Sequence, residues 1–203
     1  MISLLLAIIY LAFISLGLPD SLLGAAWPVI YPQFGVPVDW AGIVSMIISA
    51  GTIVSSLNSD RLTHRFGAGA VTAVSVAITA LALLGFSVSN SFWMLCLIAI
   101  PYGLGAGGVD AALNNYVAVH YASRHMSWLH CMWGIGASVG PYVMSYALSG
   151  PGWNMGYRYI ALFQIILTAI LLLSLPLWKK RIAEGDGQPP SLRLPRSRCL
   201  TIP

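Results

Sequence analysis

Residues 92–118, FWMLCLIAIPYGLGAGGVDAALNNYVA, run for 27 residues with one charged side chain, Asp110. A helix of about 20 apolar residues crosses a bilayer, so this stretch reads as a membrane span. Its acid is then a costly exception, and an intramembrane ionisable group is by default a sign of a polar pathway. A second acid, Asp20, sits in the similarly apolar SLGLPDSLLGAAW, residues 15–27.

Composition extends this reading to the whole chain. Hydrophobic residues make up 58% and charged residues 8% of the 203 positions, and the mean hydropathy is +0.80, far from a soluble average. Six spans are expected, at 3–27, 40–58, 69–88, 92–118, 127–148 and 157–178, separated by QFGVPVD, NSDRLTHRFG, SVSNSF, HYASRH and SGPGWNMGY. No segment alternates as a barrel strand would, so the fold class is an all-α membrane protein. Short loops that retain Lys and Arg face the cytoplasm. Arg61 and Arg65, Arg124, and the run Lys179, Lys180 and Arg181 follow the second, fourth and sixth spans, against Arg158 on the other side. Both termini are therefore expected in the cytoplasm, with the first span retained because no basic region precedes it. The net charge of +4 lies mainly at membrane edges and in the tail, where anionic lipid rather than nucleic acid is the partner.

Soluble enzyme chemistry has no foothold. Cys96, Cys131 and Cys199 form no CxxC or Cys/His cluster, so no metal or other cofactor is expected. No phosphate loop, GxSxG elbow or HExxH occurs. Internal repetition says more. Asp20 and Asp110 are 90 residues apart, and the same offset aligns Gly17 with Gly107, Leu23 with Leu113 and Tyr31 with Tyr121. It predicts a 3+3 inverted repeat in which the first and fourth spans, the second and fifth, and the third and sixth are counterparts.

The loop SSLNSDRLTHRFG, residues 55–67, resembles the GxxxDRxGRR signature of the major facilitator superfamily. Asp60 and Arg61 match its acid–base pair, Arg65 and Gly67 fall near the later basic and glycine positions, and Ser56 stands where the first glycine usually does. The likeness covers residues 1 to about 180 and implies the amino-terminal six-helix half of a transporter, with this loop bracketing a cytoplasmic gate. PYGLGAGGVDAALNNYVAVHY followed by SWLHCMWGIGASVGPY is similar to the fucose-permease-like sugar-transporter branch. That likeness carries over Asp20 and Asp110 as the acids implicated in proton coupling and substrate binding. The run Gly136 to Pro141 also resembles the GxxxGP core of the antiporter signature, which leaves efflux open.

The residues support such roles on physical grounds. A carboxyl that is wet in one access state and desolvated in another can release and take up a proton. Pro19 before Asp20 should break its helix and free backbone carbonyls to line a cavity; the competing reading places Asp20 at a helix end near the interface. Asn114 follows Asp110 by one turn, so the two share a face, with Asn115 beside them. His130 is a proton relay or a histidine at the cytoplasmic interface. Gly103, Gly105, Gly107 and Gly108 read as helix-packing positions. Trp133 also reads as packing, and Gln164 as a bond to a neighbouring helix.

Residues 182–203, IAEGDGQPPSLRLPRSRCLTIP, read as a disordered cytoplasmic tail after a bundle over residues 1–181. A superfamily transporter carries a second six-helix half, so a half-length gene, a truncation or a frame shift would each give this pattern. The functional expectation is proton-coupled alternating-access transport of a small polar solute, a sugar above all, across the plasma (inner) membrane. The partners are then the solute, protons and the bilayer, with a second copy or a missing carboxy-terminal half completing the cavity. The alternatives are proton-driven efflux of a lipophilic compound and a truncated membrane interaction module that does not transport.

Overall fold

A computed structural model describes residues 4–186, with side chains to Trp178. Seven α-helices follow one another: α1 (Leu4–Asp20), α2 (Leu22–Phe34), α3 (Ala41–Phe66), α4 (Ala68–Ser87), α5 (Phe92–His120), α6 (Ser123–Leu148) and α7 (Trp153–Asp186), with a 3-10 turn at Val38–Trp40. The first expected span is thus two helices, α1 and α2, which meet at Ser21. Together they form one apolar stretch of 31 residues.

The helices outrun the expected spans. The segment NSDRLTHR, expected as loop, is the last part of α3. Hydropathy finds where the membrane ends, but a helix ends only at a breaker, and none of these residues is Gly or Pro. The turn waits for Gly67, whose φ of +84° suits only glycine comfortably. By the same logic α6 begins at Ser123 despite Arg124 and His125, and α7 continues past Lys179–Arg181 to Asp186, into the segment read as tail. The rest of that segment, residues 187–203, lies outside the described residues. Five stretches are long and apolar enough to span a membrane, at Leu4–Phe34, Val38–Phe66, Ala68–Ser87, Phe92–His120 and Trp153–Trp178. The remaining long helix, α6, has 26 residues, carries Ser, Arg and His in its first turns, and packs against α1.

Close approach of backbones fixes the packing. A Cβ on Gly103 or Gly107 of α5 would run into the carbonyl oxygens of Ile48 or Thr52 on α3. A Cβ on Gly136 or Gly140 of α6 would meet those of Ile14 or Leu18 on α1, and one on Gly17 that of Trp133. Small residues at such seams let membrane helices approach closely, which is the packing role expected of the α5 glycines. The pairings rise together along both chains, so α1 runs parallel to α6 and α3 parallel to α5. Gly69 against Trp178 and Ser87 against Asn154 set α4 antiparallel to α7.

Two apolar clusters fill the bundle. One gathers Trp27, Phe86, Phe92, Tyr102, Trp153 and Tyr157, the other Phe13, Tyr116, Leu129, Leu167 and Trp178. Between them a polar layer crosses three helices: Gln164 of α7 donates to the Ser15 carbonyl of α1 at 2.9 Å and accepts from Thr79 of α4 at 2.9 Å. Gln164 is 1% exposed, and it does bond neighbouring helices as its sequence position suggested.

The two acids stand 90 residues apart in sequence, but the helix starts do not keep that offset. Helices α3 and α6 begin at Ala41 and Ser123, and α4 and α7 at Ala68 and Trp153. Both pairs are closer in sequence than that offset requires, because the connections differ in length.

Candidate functional site

The site begins with prolines. Pro19 has no N–H to give the carbonyl of Ser15, and that carbonyl is the one Gln164 reaches. Pro141 in α6 likewise leaves the Ala137 carbonyl without its helical donor, and Ser21 Oγ supplies one at 2.9 Å. Two broken helical bonds are thus repaired from neighbouring helices, as backbone at membrane depth requires. The chain stays within the bundle on both sides of Ser21, so Asp20 lies near the middle of its 31-residue span rather than at an end.

Asp20 is exposed on the face between α1, α5 and α6. Trp133 Nε1 of α6 donates to its Oδ2 at 2.8 Å, and Tyr102 OH of α5 approaches Oδ1 at 3.5 Å. Asp110 lies on α5, eight residues past Tyr102, and therefore about 12 Å further along the helix axis and about 80° round it, within the same broad stripe. Asn114 Nδ2 donates to Asp110 Oδ1 at 3.0 Å. His130 of α6 lies near Asp110, and Asp110 near Asp20. His130 itself is exposed and edge-on to Phe13, ring centroids 6.1 Å apart. Asn114 Oδ1 is buried and takes no hydrogen bond among the described residues, which leaves an acceptor beside Asp110 for a donor to satisfy.

Asp20, Asp110, Asn114 and His130 are thus brought to one polar strip, and Asn115 is not. It follows Asn114 by one residue, about 100° round the helix, in register with exposed Leu97 and Leu104. Its sequence neighbour shares Asp110's face because the spacing is four, not five. Two members of the strip were undervalued by sequence. Trp133, read as packing, is the direct donor to Asp20; its signal was its place one turn beyond His130. Tyr102, next to Pro101 in an apolar run, gave none.

The expected gate motif sits differently. Asp60, Arg61 and Arg65 are helical residues of α3, and only Gly67 is in a turn. Asp60 pairs with His64 at 3.4 Å, one turn along its own helix, not with Arg61. The Arg65 guanidinium lies 5.4 Å from the Phe66 ring centroid.

A family profile described as Major Facilitator Superfamily matches residues 9–201. The chain belongs to the major facilitator superfamily. It is 26% identical over 159 residues to Bypass of stop codon protein 6 of Saccharomyces cerevisiae, covering 76% of this chain and 32% of that protein. It is 23% identical over 164 residues to the 4-hydroxybenzoate transporter PcaK of Pseudomonas aeruginosa, covering 79% and 37%. To the glucose/mannose transporter GlcP of Bacillus subtilis it is 20% identical over 160 residues, covering 78% and 40%. The chain therefore spans about a third to two fifths of the length of these curated relatives. As a major facilitator chain it is a multi-pass membrane protein, and its polar strip is carried by three of the bundle's helices, α1, α5 and α6.

Proposed function

We propose that this chain supplies half of the translocation pathway of a proton-coupled carrier for a small neutral polar solute, a sugar above all, in the plasma membrane. The observation that carries the reading is the strip itself: Asp20, held by Trp133 and Tyr102, stands on one face with Asp110, Asn114 and His130. Carboxylates, an amide with an unused acceptor and an indole present the donors, acceptors and flat apolar surface that a hydroxylated ring uses. The second half of the cavity comes from another six-helix unit, either further chain or a second copy, and both termini of this unit face the cytoplasm.

An inverted 3+3 repeat accounts for the packing. Exchanging the first three spans with the last three turns the parallel α1–α6 seam into the α5–α3 seam, each sealed by glycines against carbonyl oxygens. Because Gly136 and Gly140 serve that seam, they give no separate reason to favour efflux.

Relatives include transporters for an aromatic acid and for glucose and mannose by name. Charge separates those classes here. Among the described residues Arg61, Arg65, Arg124 and Arg158 all lie at or near helix ends, so no fixed cation accompanies the two acids at mid-span. A carboxylate solute would meet like charge, which costs more at low dielectric than in water, whereas a neutral polyol would not.

The test is uptake of labelled glucose and mannose into proteoliposomes carrying the full gene product, with and without an inward proton gradient. Accumulation should follow the gradient and should be lost in Asp20→Asn and Asp110→Asn. Accumulation that survives both substitutions overturns the coupling, and preference for 4-hydroxybenzoate over both sugars overturns the solute class.

A further inference from the structure

One cavity of the bundle is not on the polar strip. It is a groove of about 500 Å³ on the far side of the α3–α5 seam, walled by Val54, Leu62 and Phe66 of α3, Val74 and Ile78 of α4, and Leu104 of α5. Its volume is that of a ligand site. Its walls are almost wholly apolar, with Ser55, Asn58 and Ser75 as the polar exceptions. From Val54 to Phe66 the groove follows α3 for about 18 Å, at 1.5 Å per residue. One leaflet of hydrocarbon is about 15 Å deep, so the groove has the length of one acyl chain and lies in one leaflet.

Charge marks one end of it. Arg61 and Arg65 follow Asn58 and Leu62 by three residues each, so they continue the groove-facing side of α3 beyond its last apolar turn. Both are exposed. The Arg65 guanidinium rests by the ring of Phe66, itself a wall residue, which puts the cation at the mouth. The acid of this region, Asp60, is two residues from Asn58 and therefore on the opposite side of the helix, where it is paired with His64. An apolar slot of leaflet length with cations and, among the described residues, no acid facing its polar end is complementary to an anionic amphiphile.

We infer that the α3–α4–α5 groove is a binding site for an anionic phospholipid, one acyl chain filling the slot and the phosphate meeting Arg65 and Arg61. A guanidinium holds phosphate oxygens through charge-assisted hydrogen bonds, and the chain contributes by burying its methylenes against the walls. The site is separate from the polar strip, so lipid and solute do not compete for it.

The experiment is native mass spectrometry of the full chain purified in a mild detergent, titrated with phosphatidylglycerol or phosphatidylcholine of identical acyl chains. One phosphatidylglycerol should be retained under conditions that strip phosphatidylcholine. The Arg61→Gln/Arg65→Gln double variant should lower that retention at least tenfold, while Arg124→Gln, a cation at the same end of the bundle, should leave it within twofold. Val74→Trp, which narrows the slot, should lower it in parallel. Inorganic phosphate should not compete, because it brings no chain. Equal retention of the two lipids, equal loss in Arg124→Gln, or full competition by phosphate would each overturn the assignment. The double variant alters only exposed side chains, so its result stands even if Val74→Trp fails to fold.

Discussion

Gln164→Leu tests how the break at Pro19 is tolerated. Leucine has nearly the volume of glutamine, so the substitution removes hydrogen bonds without opening a cavity. Thr79 Oγ1 keeps its bond to the Val76 carbonyl at 2.9 Å, so the group stranded is the Ser15 carbonyl, which lost its helical donor to Pro19. Hydrogen bonds between membrane helices average about 0.6 kcal/mol and reach about 1.7, whereas an orphaned buried acceptor costs about 1–3 kcal/mol. The predicted loss is therefore about 1–2 kcal/mol. The distinctive expectation is the coupling. In a Pro19→Ala background residue 19 regains an N–H for Ser15, so Gln164→Leu should cost about 1 kcal/mol less than in the unaltered chain. Denaturant-driven unfolding in mixed micelles, followed by helical circular dichroism in all four corners of the double-mutant cycle, measures this directly. Additivity within about 0.5 kcal/mol would refute the link between Pro19, Ser15 and Gln164.

The same cycle applied to Ser21→Ala and Pro141→Ala should also be non-additive, since Ser21 serves the Ala137 carbonyl, and coupling below about 0.5 kcal/mol would contradict that. Two glycines of α6 should respond with opposite signs. A Cβ at Gly136 meets the Ile14 carbonyl whereas one at Gly134 meets nothing within 4 Å, so Gly136→Ala should destabilise by about 1–3 kcal/mol and Gly134→Ala should stabilise by up to about 1 kcal/mol; thermal unfolding in detergent reads both. Trp133→Phe removes the donor to Asp20 but keeps an aromatic ring. It should leave the yield of folded protein unchanged and lower proton-driven uptake several-fold, and uptake equal to the parent would show that this bond is idle.

What sequence revealed follows from what hydropathy and spacing can encode. The spans, the two rare acids and the Asp110–Asn114 pair were legible because each depends on composition or on an i,i+4 interval. Helix ends were not, since the apolar window closes at residue 58 while α3 runs to Phe66, and nothing but Gly67 stops it. Asn115 was misplaced because adjacency in sequence was given weight over angle on the helix. Trp133 and Tyr102 could not be assigned to Asp20, because their distances from it across α5 and α6 are products of tertiary packing. The apolar groove had no sequence signature either: its lining residues come from three helices, and only their assembly makes a cavity.

On this reading α1, α5 and α6 present a water-accessible polar face at mid-membrane. Single cysteines at Asn114, His130 and Leu173, in a chain with Cys96, Cys131 and Cys199 replaced by Ser, can be challenged with a membrane-impermeant thiol reagent in native vesicles opened to both sides. Asn114→Cys and His130→Cys should be labelled. Leu173→Cys, 81% exposed on an apolar stretch of α7, should not be, because lipid covers it. Labelling of Leu173→Cys as fast as of the other two, or none at Asn114→Cys and His130→Cys, would contradict the account.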